Sequence, residues 1–122
     1  MINPKVYRIF LVDDNPADVY LLRQALKRAR LNFDLTVIED GADVLELIQT
    51  KALEIAKPDL AILDLNLPSN GGIEVLAALR QNKNLSDIPV AVMTSSAAPL
   101  ERNLVEQLGA DRFITKPPEL GL

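Results

Sequence analysis

Short runs of consecutive apolar residues, each broken off by acidic or polar residues, alternate with segments where apolar residues return every three or four positions. The runs read as strands buried on both faces, and the periodic segments as helices with one apolar side. Residues 6–12 (VYRIFLV) form a strand closed by Asp13-Asp14. Asn15 then caps a helix with Pro16 at its first position, carried over 17–30 by Val19, Leu22, Ala25, Leu26 and Ala29. Residues 35–38 make a second, short strand stopped by Glu39-Asp40-Gly41, and a second helix sets Val44, Leu45, Ile48 and Leu53 on one side before ending ahead of Pro58. The most apolar run, 60–63, reads as the central strand; Asp64 follows it, then Pro68 and Gly71-Gly72. A helix over about 73–82 carries Val75, Leu76 and Leu79, and the strand 90–93 ends in Thr94-Ser95-Ser96. A fourth helix over 99–108 is closed by Gly109 as its C-terminal cap, and the strand 112–115 ends at Lys116-Pro117-Pro118.

Strands alternating with helices at this spacing predict βαβ units, an α/β fold with a parallel sheet and helices on both faces. The pattern holds five strands and four full helices, with no repeat or linker, so 1–122 is expected to be one domain. Hydrophobic residues make up 48% and charged residues 25%, ordinary for a soluble globular protein. A net charge of −4 without a basic patch argues against nucleic acid or an anionic membrane as partner. The absence of cysteine removes disulfides and thiolate chemistry, and the absence of histidine removes imidazole acid–base catalysis and imidazole metal ligands. The first residues lack the build of a signal peptide and no apolar run is long enough to span a membrane, so the expected location is cytoplasmic.

In a parallel sheet the C-terminal ends of all strands lie along one edge, where ligands collect in folds of this kind. That edge receives Asp13 and Asp14 from the first strand, Asp64 from the third, Thr94 with Ser95 and Ser96 from the fourth, and Lys116 from the fifth. Carboxylates crowded together repel, and a cation between them relieves the repulsion. Oxygen ligands suit a hard ion, and Mg²⁺ takes one or two carboxylates together with water and phosphate oxygens. A carboxylate nucleophile, a divalent cation, a fixed ammonium and a hydroxyl donor together equip a site for phosphoryl transfer onto aspartate.

In these residues the chain resembles the receiver domain of two-component response regulators: Asp13-Asp14 after the first strand, Asp64 followed by Pro68 and Gly72, Thr94 after Val90-Ala91-Val92-Met93, and Lys116-Pro117. The runs VDDNPADVYLLRQAL and DLNLPSNGGIEVL look most like the single-domain regulators that work beside bacterial phytochromes. The resemblance implies a flavodoxin-like, doubly wound sheet of five strands in the order 2-1-3-4-5. By position it makes Asp64 the phosphoacceptor, Asp14 a direct Mg²⁺ ligand, Asp13 a ligand largely through water, and Asn66 a ligand through its backbone carbonyl. Thr94 and Lys116 would bind phosphoryl oxygens, and the Lys116–Pro117 bond would be cis. Small Ser95 would keep the site open. Asn66 and Ser96 would flank the hydrolytic water and tune phosphoryl lifetime, and Phe113 would be the aromatic switch without the hydroxyl of a tyrosine. The implied partners are a sensor histidine kinase, phytochrome-like in the finer assignment, and a downstream protein target reached by contact.

Each residue also has a plain explanation. Acids favour helix starts, Asp64 could be a loop acid, Thr94 a strand-end threonine, Lys116 a solvated lysine and Phe113 core. All of these would have to hold together at four strand ends. Two other functions compete with the switch. One is a receiver-fold adaptor with an inert pocket. The other is a small Asp-nucleophile phosphatase of the haloacid dehalogenase type, which wants Asp-x-Asp where this chain has Asp13 and Asp14 adjacent, and a substrate cap besides. The sequence departs from the family in two places. It ends at Leu122, where a fifth helix would start, so part of one sheet face is expected to lack its cover unless a homodimer, a partner or the rest of a longer protein supplies it. Gly71 stands where the family often has a polar residue, and a looser loop is expected there.

Overall fold

The computed structural model describes residues 5–65, 71–94 and 99–116. The elements in chain order are β1 (Tyr7–Val12), α1 (Pro16–Arg28), β2 (Phe33–Ile38), α2 (Gly41–Gln49), α3 (Ala52–Ile55), β3 (Leu60–Asp64), α4 (Gly72–Gln81), β4 (Val90–Thr94), α5 (Pro99–Gln107) and β5 (Arg112–Thr115). The five strands form one sheet in the order β2-β1-β3-β4-β5, and every pairing is parallel. The parallel sheet is what the alternation of strands and helices predicts, and the strand order is the one the family resemblance implies.

Side chains alternate across the sheet, so each central strand feeds two cores. Val12, Ala61, Leu63, Val90 and Val92 join Val44, Val75, Leu76 and Leu79 in the larger cluster, beneath α2 and α4. Ile9, Leu11, Ile62, Ala91 and Met93 form the smaller one, against which Val19, Leu22 and Leu26 of α1 pack half-buried. On this second face a groove of about 270 Å³ runs between α1 and β4–β5, lined by Leu21, Leu22, Met93 and Ile114 among others. The fifth helix considered after β5 falls on residues 117–122, which lie outside the described residues. Among the described residues no helix is long and apolar enough to cross a membrane.

Three boundaries differ from the sequence pattern by two residues or more. Helix α1 stops at Arg28 rather than 30, because Arg30 takes a left-handed conformation (φ 59°) and Leu31 N–H reaches back to Leu26 O. The second helix is interrupted in the same way: Lys51 is left-handed (φ 65°), and Leu53 belongs to a separate turn, α3, which still delivers it to the core. Strand β2 begins two residues early, at Phe33, because Tyr7 of β1 pairs there. Gly109 closes α5 as expected, with φ 99°, Gly109 N–H on Glu106 O and Ala110 N–H on Val105 O.

One side chain ties α4 to the N-terminal edge of the sheet. Arg80 donates to Gly109 O at 3.0 and 2.9 Å, Ser86 O at 3.1 Å, Ile88 O at 2.8 Å and Asp111 Oδ2 at 3.1 Å. Asp111 in turn accepts from Val90 N–H at 2.8 Å. The end of α4 is thereby fixed to the starts of β4 and β5, leaving their opposite ends for the site.

Candidate functional site

Asp13 follows β1 directly, its N–H bonded to Ile38 O at 3.0 Å, and the residue is fully buried. Its Oδ1 accepts from Asn15 N–H at 2.8 Å, an Asx turn that leads the chain into α1. Asn15 then accepts from Ala17 N–H at 2.9 Å, and Pro16 opens the helix. The aspartate pair is therefore fixed by the strand behind it and the helix start ahead of it.

Asp64 is the last residue of β3 and is 2% exposed. Its position depends on Gly72. A Cβ on Gly72 would fall 2.7 Å from the Asp64 carbonyl oxygen, so only glycine lets α4 begin so close to the strand end. Thr94 closes β4 fully buried, and its carbonyl accepts from Lys116 N–H at 2.8 Å, which sets the lysine just past the end of β5.

These ends converge. Asp13, Asp14 and Asp64 each present an oxygen within 4.8 Å of the others. Lys116 Nζ lies 3.1 Å from Asp64 Oδ2 and 3.8 Å from Asp13 Oδ2. The same ammonium donates to Asp18 Oδ2 at 2.6 Å, from the first turn of α1. Asp14 is exposed, on the solvent side of the cluster. Phe113, on β5 opposite Val92, packs half-buried against the larger core, and the Arg102 guanidinium sits 5.1 Å from its ring centre.

Burial pushes the Asp13 carboxyl up from 3.8 to about 7; the Asn15 N–H opposes this, the neighbouring Asp64 charge adds to it, and Lys116 pulls the other way. Burial pulls the Lys116 ammonium down, but its bonds to Asp18 and Asp64 and the charges of Asp64 and Asp13 outweigh that and leave it above its ordinary value. Asp13 Oδ2 is buried and has no hydrogen-bond partner. Such an oxygen is costly to leave unpaired, and it faces a second buried carboxylate. The donor set fits a hard divalent cation: oxygen ligands, excess negative charge, and one orphaned carboxylate oxygen aimed into the cluster.

Of the residues singled out in the sequence, Asp13, Asp14, Asp64, Thr94 and Lys116 all come to this edge, and Phe113 lies on the adjoining strand. Asn66, Ser95, Ser96 and the Lys116–Pro117 bond lie outside the described residues. Asp18 was missed. In sequence it is one more acid in a helix first turn, and nothing local connects it to a lysine 98 positions away.

Comparison with known proteins gives a consistent answer. The response regulator receiver domain family matches residues 9–121. The response regulator Rcp1 of Synechocystis sp. is 40% identical over 95 residues, which are 76% of this chain and 63% of Rcp1, so the chain spans less than two thirds of that relative. The crystal structure of Rcp1 in its Mn(2+)-bound form superposes with a TM-score of 0.83 at 34% identity, over 93% of this chain and 84% of that one. The phosphorylated cyanobacterial phytochrome response regulator RcpA superposes with a TM-score of 0.84 at 32% identity, over 95% of this chain and 84% of that one.

Proposed function

The chain belongs to the response regulator receiver domain family, and from that premise we propose that it is a phosphorylation-dependent signalling switch acting in the cytoplasm. Asp64 is the phosphoacceptor. One of its oxygens forms a bond to phosphorus as the bond from phosphorus to the phosphohistidine nitrogen of a sensor histidine kinase breaks. Asp13, Asp14 and Asp64, with the backbone carbonyl of Asn66, hold Mg²⁺. When bound, that ion neutralises the crowded carboxylates and the charge that builds on the phosphoryl oxygens. Thr94 and Lys116 donate to those oxygens, Lys116 as a full positive charge in a buried setting, where charge counts for most. Phe113 carries the change toward α5, and Asn66 and Ser96 set how long the phosphoryl group survives.

The observation that carries this proposal is the convergence of Asp13, Asp64 and Lys116 at one sheet edge, with Asp13 Oδ2 buried and without a hydrogen-bond partner. The relatives support the ion and the modification: Rcp1 was solved with Mn(2+) bound and RcpA phosphorylated. The name of RcpA also supports a phytochrome-like kinase as the source of phosphate. The output is contact with a downstream protein, and a homodimer is one form that contact could take.

Incubation with acetyl phosphate and Mg²⁺, followed by intact-mass measurement, tests this directly. A phosphoryl adduct lasting seconds or longer, absent in Asp64→Asn, is the expected result. Steady release of phosphate with no accumulating adduct would instead indicate a phosphatase, and no reaction at all an inert adaptor.

A further inference from the structure

Lys116 does not face Asp64 alone. Its bond to Asp18 Oδ2, at 2.6 Å, is shorter than its 3.1 Å approach to Asp64 Oδ2. An acid in a helix first turn ordinarily serves the positive end of the helix. Here Asn15 caps α1 through Ala17 N–H, while the Asp18 carboxylate is bonded to the lysine, the two side chains being 15% and 12% exposed. Lys116 follows an edge strand of four residues that is largely exposed, and its backbone is tied to Thr94 on one side. Below the Asp18–Lys116 bridge lies the apolar groove floored by Leu22, Met93 and Ile114. The bridge thus spans a gap between α1 and the rim of the sheet.

We propose that Asp18 is a positioning residue for phosphoryl transfer: it pins the Lys116 ammonium at the mouth of the acidic pocket, aimed at Asp64 before a phosphoryl group arrives. This rests on Asp64 being the phosphoacceptor. A lysine ammonium has three N–H donors, so it can serve Asp18 and a phosphoryl oxygen together. Without Asp18 the long, flexible stem has to be ordered during the reaction, and that entropy falls on the barrier. With acetyl phosphate as donor, an Asp64 oxygen bonds to phosphorus as the bond from phosphorus to the acetate oxygen breaks. Acetate leaves with the bonding pair, and Lys116 keeps its proton throughout.

The test is the rate at which the Asp64 adduct forms from acetyl phosphate at saturating Mg²⁺, in the full chain. Asp18→Ala should slow it about tenfold, while Asp18→Asn, which keeps an acceptor for the ammonium, should stay within about threefold of the parent. In a Lys116→Ala background, Asp18→Ala should add nothing further, because its effect passes through the lysine. Should Asp18→Ala not fold, Asp18→Thr suits a helix start but is too short to reach, and carries the same expectation. Three results would overturn the proposal: an Ala variant as fast as the parent, an Asn variant as slow as Ala, or equal slowing with and without Lys116. A parent chain that forms no adduct at Asp64 removes the phosphoacceptor and this role together. A parent that forms it, with the Asp18 variants unchanged, removes this role alone.

Discussion

Asp13→Asn should make the ion-free protein more stable, although it removes a residue at the centre of the site. Asp13 is fully buried, its Oδ2 has no hydrogen-bond partner, and burial pushes its carboxyl up from 3.8 to about 7. At about 1.36 kcal/mol per pKa unit, carrying that charge in the folded state at pH 8 costs about 4 kcal/mol relative to an unperturbed carboxylate. The asparagine keeps an oxygen to accept from Asn15 N–H, but it gives up the attraction to Lys116 at 3.8 Å. Discounting for that loss and for local relaxation leaves a gain of about 2 kcal/mol, or about 6–10 °C in Tm for a chain of this size. The sign depends on pH. As pH rises from about 4 to about 7 the unfolded carboxyl releases its proton before the folded one does, so the parent loses stability across that window. The Asn variant lacks this contribution, and the gap between the two should open over the same range and close below pH 4. Thermal unfolding in EDTA at pH 4, 6 and 8 measures it. Adding Mg²⁺ at pH 8 should raise the parent's Tm far more than the variant's. A variant no more stable than the parent at pH 8, or a gap that persists at pH 4, would refute the electrostatic account of this site.

Two substitutions away from the charged groups test how the site is held. Gly72→Ala puts a methyl group 2.7 Å from the Asp64 carbonyl oxygen; thermal or denaturant unfolding should show a loss of about 1–3 kcal/mol, with slower formation of the Asp64 adduct because the strand end must move. Arg80→Lys replaces a planar fork serving Gly109, Ser86, Ile88 and Asp111 with a point donor; the same unfolding assay should show a loss of about 1.5–3 kcal/mol. Its adduct formation should keep the parent's rate, since these contacts lie at the other end of the sheet.

The sequence was most informative where geometry follows from topology alone. Buried strands such as 60–63 and 90–93 declare themselves by composition, and once they are parallel their C-terminal residues must share an edge. Asp13, Asp64, Thr94 and Lys116 could therefore be assembled before any coordinate was known. Helix ends were less legible, because the left-handed residues that stop α1 and α2 are Arg30 and Lys51, where a glycine would have been visible. Phe33 joins β2 only because β1 extends far enough to pair with it. Arg80 and Asp18 were invisible for a different reason. Each acts on groups brought near by the folded chain, and their local sequence matches that of any exposed helix carrying charge.

How the site is built also bears on how it can signal. Asp13, Asp64 and Thr94 end β1, β3 and β4, strands with neighbours on both sides and side chains buried in two cores. Phe113 lies on β5, an edge strand that is short and largely exposed, and Lys116 directly follows it. The acidic half of the pocket is thus fixed, while the cationic half rides on the element with the fewest constraints, and local stability differs in the same direction. Under the proposed phosphorylation, a new anion on Asp64 would pull on Lys116, which among the described residues is joined to β5, Thr94 O and Asp18. Along β5 that pull would reach Phe113, whose ring centre lies 5.1 Å from the Arg102 guanidinium of α5. Two-state behaviour in such a layout would be expected at β5 and α5, with the central strands unmoved, because a chemical change at the rigid end of a network displaces whatever is held least tightly at the other.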